Sequence, residues 1–172
     1  AGQAHPSTWS YFTMKVFGWT PKEVGYSLAF VGLIVAIVQG GLNRLIIPKI
    51  GEIKAISYGL ILYAIGFFLF SYASETWMMY VFMVPFGLGG IAGPALQSLI
   101  TQQVGPDEQG ELQGGLTSLQ SVTTILGPLL ASNLFAHFTS TSASIYFPGA
   151  AFFMAGVLVV VGWFVVMRSV PS

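Results

Sequence analysis

The sequence predicts an all-α membrane protein, a bundle of helices that cross a bilayer. Three observations carry this. Of the 172 residues, 54% are hydrophobic and only 7% charged, against about 25% charged in a soluble domain. The few charges fence off uncharged runs of about 20 residues or more, the length that spans the hydrocarbon core. Two of those runs are apolar all round, which leaves no polar face for water and excludes a soluble helical globule.

The elements follow in chain order. Residues 1–17 form a short amphipathic piece that ends at the turn "GWTPKE". The opening residues lack an initiator Met and the basic start of a signal peptide, so the expectation is a first span cut at its front. Glu23 and Arg44 enclose the second span, 24–46, and Lys54 and Glu75 enclose the third, 55–73. The fourth, 77–101, contains "GLGGIAGPALQSL", in which glycines and a proline, the weakest helix formers, interrupt an apolar run. From Glu111 to Arg168 no Asp, Glu, Lys or Arg occurs. That run is too long for one helix, and the polar stretch "HFTSTSAS" divides it into spans 112–136 and 145–167. All six belong to one predicted unit, 1–172.

Lys and Arg set the expected orientation. Arg44, Lys49, Lys54 and Arg168 fall on one side and Lys15 and Lys22 on the other. The positive-inside rule puts the first side, and the C-terminus with it, in the cytoplasm.

Helical periodicity then separates the spans by polarity. The second aligns Gly32, Ala36, Gln39 and Asn43. The fourth aligns Gly87, Gly90, Pro94, Gln97 and Thr101. The fifth aligns Gln113, Thr117, Gln120, Thr124 and Gly127, and the first offers His5, Ser7, Trp9 and Ser10. The third and sixth have only Tyr or Ser to relieve them and are expected to face lipid. The polar stripes are expected to meet around a cavity lined by Trp9, Gln39, Gln97, Gln120 and Thr124. The competing reading is that these residues only bridge neighbouring helices. Gly87, Gly90, Gly93 and Pro94 are expected to make the fourth span a gate that packs closely and changes its bend, with Gly127 and Pro128 repeating the device in the fifth.

Other chemistry is excluded by what is missing. There is no cysteine and there are two histidines, so neither a disulfide nor a metal cluster is expected. Zero formal net charge gives nucleic acid nothing to bind. No Walker loop occurs, "GLGG" follows no strand as a dinucleotide fingerprint must, and no serine has a nearby His/Asp pair. Neither an enzyme nor a cofactor is expected. His5 and His137 are the groups that titrate near neutral pH.

The segments "HPSTWSYFTMKVFGWTPKEVGYSLAFVGL", "PKIGEIKA", "GGIAGPALQSLITQQV" and "QGELQGGLTSLQSVTTILGPLL" resemble the second half of the major facilitator transporters. Within these the resemblance is to the tetracycline-resistance group of drug/proton antiporters. It runs over nearly the whole chain, and "GLNRLIIPKIGEIKA" is similar to a worn copy of the family's loop signature. The resemblance implies the C-terminal six-helix half of a major facilitator fold, with the third and sixth spans at the periphery and the C-terminus in the cytoplasm. It also implies a bacterial cytoplasmic membrane, a lipid bilayer and a small molecule as partners, and a missing N-terminal half that carries the proton-coupling acids. The chain departs from the group at Tyr63, where the tetracycline exporters have an Asp. The expected function is secondary active export of a small amphipathic, drug-like compound in exchange for protons. A facilitator or symporter for a polar metabolite, and a non-transporting scaffold or sensor on the same fold, stand as alternatives.

Overall fold

The computed structural model describes residues 4–140 and 145–169, with the side chains of 4–7 and 106 outside the described set. Among the described residues there are helices and no strand. They are α1 (Ala4–Phe17), α2 (Pro21–Ile37), α3 (Asn43–Ile50), α4 (Glu52–Ser71), α5 (Thr76–Leu88), α6 (Ala92–Thr101), α7 (Gln109–Thr139) and α8 (Ala150–Ser169). A π-helical turn, Val38–Leu42, fuses α2 to α3, and a 3-10 turn, Gly89–Ile91, fuses α5 to α6. Five helical rods are therefore long and apolar enough to cross a membrane: Pro21–Ile50, Glu52–Ser71, Thr76–Thr101, Gln109–Thr139 and Ala150–Ser169.

Local chemistry sets the breaks. Gly18 and Gly51 both have positive φ (66° and 83°), a conformation that costs glycine nothing. Gly18 ends α1, and Gly51 turns the chain from α3 into α4. Thr20 opens α2 with a capping box. Its hydroxyl accepts from the Glu23 amide and the Glu23 carboxylate accepts from the Thr20 amide, which satisfies two orphan donors. At the last span the structure corrects the expected start. Residues 145–149 are not helical, and α8 begins at Ala150. Pro148 biases Phe147 towards extended backbone. Gly149 also lies so close to the Ser71 carbonyl that a Cβ there would overlap it.

The helices alternate in direction. At one end Trp19 donates to Thr76 (3.2 Å) and Lys15 Nζ to the Thr139 carbonyl (3.3 Å), joining the turns before α2 and α5 and the end of α7. At the other, Glu52 at the start of α4 accepts from Ser98 and Gln102 at the end of α6. The core is layered accordingly. Trp9, Phe12, Phe67, Phe70, Phe86 and Phe152 fill the first end, with rings mostly edge to face at 5–6 Å, such as Trp9–Phe70 at 5.3 Å and Phe12–Phe152 at 5.1 Å. Small and aliphatic residues, Val38, Ala55, Ile56, Ile91 and Ala95, fill the other.

The hub is α4, which packs against α3, α5, α6 and α8. This revises the expectation that the third span simply faces lipid. One side of α4 buries Ala55, Ile56, Gly59, Phe67 and Phe70. The other keeps Tyr58, Ile61, Ile65 and Tyr72 exposed, an outer stripe at helical spacing. The helix is apolar all round because it meets protein on one side and leaves the other for lipid.

Glycines let α4 approach its neighbours. A Cβ at Gly59 would lie 2.7 Å from the Ala92 nitrogen, and one at Gly89 would lie 2.7 Å from Tyr63 Cγ and 2.9 Å from the Gly59 carbonyl. At Gly90 the nearest atoms are at 3.8 and 3.9 Å, ordinary contact. Gly59→Ala and Gly89→Ala should therefore each destabilise by about 1–3 kcal/mol through overpacking, while Gly90→Ala stays near parent stability. Thermal unfolding of the purified variants in detergent checks the order, and equal melting temperatures for the three would contradict it.

Candidate functional site

The fourth rod, α7, carries the candidate surface. It packs on α1 and α8, and Ala131 is its one buried residue among those described. Its length of 31 residues corresponds to about 46 Å at 1.5 Å per residue, more than a bilayer core. Gln113, Thr117, Gln120, Ser121 and Thr124 are all exposed along it. Four hydroxyls on or beside this face bond within the helix: Ser118 donates to the Gly114 carbonyl (2.9 Å), Ser121 to the Thr117 carbonyl (2.8 Å), and both Thr123 and Thr124 to the Gln120 carbonyl (2.9 and 2.8 Å). Hydroxyls bonded in this way cost less to expose to an apolar medium than unbonded ones. Pro128, which has no N–H, removes the helical donor that the Thr124 carbonyl would otherwise receive.

Gln39 and Gln97 are exposed on other rods. Gln39 sits in the π-helical turn beside Gly40 and Gly41, and Gln97 sits on α6 on the exposed side that also carries Gly93 and Pro94. Among the described residues none of Gln39, Gln97, Gln120 or Thr124 is hydrogen-bonded across to another helix. The structure thus leaves all four open on their own rods and does not join them directly to one another.

Trp9 is placed differently. It has no exposed surface. Its indole donates to Ser27 Oγ (2.9 Å), which donates on to the Val24 carbonyl (2.7 Å). Trp19, Phe70 and Phe152 meet its ring edge to face. The expected lining residue is a core residue here, since the aromatic cluster encloses both its faces. His5 lies among residues whose side chains are outside the described set. His137 is exposed in the last turn of α7, its ring edge-on to Phe138.

The expected single stripe on the fourth span is split. Gly87 and Gly90 are buried, Gly87 so tightly against Ile34 of α2 that a Cβ would overlap it, whereas Pro94 and Gln97 are exposed. The 3-10 turn between them advances about 120° per residue instead of 100°, which turns α6 by about 60° relative to α5. Pro94 falls in the first turn of α6, and Pro85, inside α5, is a second interruption. Gly127 lines an apolar groove of about 260 Å³ between α7 and α8, with Thr123, Leu130, Ala151 and Met154.

Sequence reasoning missed three features. The π-helical turn had the adjacent glycines of "VQGGL" as its signal. Pro85 was visible but overlooked beside the glycines. Asn43, one turn on, is buried with its Oδ1 lacking any hydrogen-bond partner, and nothing in the sequence marks that. Tyr63 is partly buried against the core, its ring edge-on to Phe86 at 5.1 Å and beside Phe67.

The Major Facilitator Superfamily is the family whose profile matches, over residues 4–172. Among curated proteins, the chain is 35% identical over 154 residues to a tetracycline resistance protein, class C, of Escherichia coli, covering 89% of this chain and 39% of that protein. It is 38% identical to the class E protein of Escherichia coli over 78% of this chain and 33% of the relative. To the class H protein of Pasteurella multocida it is 31% identical over 91% and 38%. The chain thus spans about two fifths or less of the length of these relatives. No solved structure gives a significant match.

These placements separate core from surface in a measurable way. Trp9→Ala should cost about 3–5 kcal/mol, as for a large buried aromatic. Gln120→Ala and Thr124→Ala should change stability by no more than about 0.5 kcal/mol. Denaturation of the purified variants decides it, and a stable Trp9→Ala would return Trp9 to the exposed surface.

Proposed function

Because the chain belongs to the major facilitator superfamily, we propose that it is one half of a secondary active transporter that exports a small amphipathic, drug-like compound in exchange for protons. It is a multi-pass integral membrane protein, and the proposal sets it in the bacterial cytoplasmic membrane with its C-terminus in the cytoplasm. The observation that carries this reading is the exposed, neutral polar face of α7, four of whose hydroxyls bond back into the helix while its glutamine amides stay open. In a bilayer such a face has a use where it borders a solute path between two bundles. Gln39, Gln97, Gln120 and Thr124 line the path from this half, and the other half supplies the opposite wall.

Nothing cationic or anionic lies deep in these spans, so a phosphate or carboxylate has no clamp here. The coupling acids then belong to the other half, since an ionisable group in the membrane is the usual mark of a proton relay. The names of the relatives support an antibiotic as cargo. Tyr63, partly buried against the core where the resemblance would put an Asp, argues for a compound other than tetracycline. The same lack of intramembrane charge supports a second reading, a facilitator for a polar metabolite. Growth of cells with and without the intact protein, screened against many toxic compounds and against limiting nutrients, separates the two. Raised tolerance with proton-gradient dependence supports export, and a nutrient phenotype alone supports the facilitator.

The gate in this proposal is the third rod, formed by α5 and α6. Gly87 and Gly90 pack it on α2 and α4, Gly93 and Pro94 keep its open side compliant, and Gly127 with Pro128 serves α7 in the same way. Gly90→Leu should abolish transport, because the carbons beyond its Cβ run into Val38 and Tyr63. Pro94→Ala, which returns a donor to the helix, should slow turnover about tenfold or less while leaving substrate binding intact. Vesicle flux and ligand binding measured on both variants decide it. Normal flux in both would reduce the glycines and proline to simple helix contacts.

A further inference from the structure

At the end of α6 a closed hydrogen-bond network joins residues 46 and 50 positions apart. Glu52 Oε1 accepts from Ser98 Oγ and from Gln102 Nε2 (2.9 Å), and Gln102 Nε2 also reaches Ser98 Oγ (3.1 Å). We propose that Glu52 is a positioning residue, the fixed point of a latch with Ser98 and Gln102 that holds α6, and Gln97 with it, against the start of α4. The proposal rests on the reading that α6 borders the solute path.

Three observations make this more than a surface contact. First, the close packing of α6 on α4 is concentrated near the joint. Its buried residues are Ala92 and Ala95, both beside the 3-10 turn, and beyond them only the partly buried Leu96 and Leu99 reach the core. The latch is the cross-helix polar tie of its last turns among the described residues. Second, the joint above it is soft. The Gly89–Ile91 turn connects α6 to α5, and Pro94 lacks the donor that would stiffen the first turn of α6. A rod hinged at one end needs an attachment at the other to have a defined position. Third, Glu52 lies at the end of the molecule that carries Arg44, Lys49, Lys54 and Arg168, yet its described partners are two neutral donors and no cation. It stands in the first turn of α4, at the N-terminal end of that helix. The carboxylate's described hydrogen bonds both go to α6 and the residue that caps it.

The sequence contains no cysteine, so thiol labelling reads α6 directly. In the intact protein, in a background whose only cysteine is the introduced one, Gln97→Cys is labelled with a membrane-impermeant maleimide added from the side on which Glu52 lies. Glu52→Ala should change the labelling rate roughly tenfold, the effect of losing two hydrogen bonds to a charged group on a local opening equilibrium. Glu52→Gln, whose amide oxygen still accepts both bonds, should restore most of the parent rate. Tyr58→Cys, on the outer stripe of α4, should label equally in all backgrounds. An unchanged Gln97→Cys rate overturns the latch, and so does an equal change at Tyr58→Cys, which would mean general loosening. Should Glu52→Ala fail to accumulate, Ser98→Ala with Gln102→Ala carries the same comparison. Loss of efflux in the parent protein would count against the transport reading and would leave the labelling result to stand alone.

Discussion

Gly59 of α4 and Gly89 at the start of the 3-10 turn approach so closely that neither position has room for a Cβ. Much of the bundle depends on that contact. It brings the backbone of α4 against the joint between α5 and α6, and the same helix meets Phe86 at Gly66 and the turn before α8 at Ser71. Within a bilayer no hydrophobic force drives one helix onto another, so close van der Waals approach must do the work. Small residues on the hub are how this chain achieves it. The joint is therefore anchored at its backbone, and beyond it α6 meets α4 through the side chains of Ala95, Leu96 and Leu99.

Polar ties supplement this approach in a consistent form. Trp9 donates to Ser27, Trp19 to Thr76 and Trp163 to Ser57 (2.8 Å), each an indole N–H on one segment and a hydroxyl on another. The pairing suits an apolar interior. The indole buries a large ring and has a single donor to satisfy, and the hydroxyl meets that need while passing its own proton to a nearby carbonyl, as Ser27 does to Val24. Such bonds are worth about 0.6 kcal/mol on average in membrane proteins. Their value lies in fixing rotation: each permits one azimuth for the helix that carries the indole.

Much of the architecture was legible because length and charge placement are long-range signals. Glu23, Arg44, Lys54 and Glu75 fence their spans whatever the tertiary contacts, and the charges lie outside because desolvating them is costly. Azimuth was harder to read. The stripe drawn through Gly87, Gly90, Pro94 and Gln97 assumed 100° per residue throughout, and one 3-10 turn sufficed to bury its first half and expose its second. Trp9 failed for a related reason. On a helix wheel it stands about 160° from Ser7 and about 100° from Ser10, and its size made it the natural filler of a space defined by Phe70 and Phe152, which are far away in sequence. The apolar circumference of α4 read as lipid contact because composition alone does not distinguish a hydrocarbon tail from a phenylalanine of the next helix. The hydroxyls and amides of α7 were legible as a stripe because that helix is regular over its whole length.

On the proposed reading, the way α7 satisfies itself restricts what it can recognise. A serine or threonine hydroxyl has one proton and two lone pairs. On α7 the protons of Ser118, Ser121, Thr123 and Thr124 are committed to carbonyls one turn back, so what these groups offer outward is acceptor capacity. Outward donors come from the amides of Gln113 and Gln120, joined by Gln39 and Gln97 on the other rods. A neutral wall of this kind holds no ion by charge. It discriminates by the arrangement of donors on the solute and by the apolar area between them, which Leu119, Val122, Ile125 and Leu126 supply on the same exposed helix. An amphipathic compound rich in hydroxyl or amide donors matches both, whereas a purely apolar one leaves the acceptors without partners and is disfavoured by the cost of desolvating them. The same commitment of protons that lets α7 stand exposed in the membrane thus sets the polarity of what it can bind.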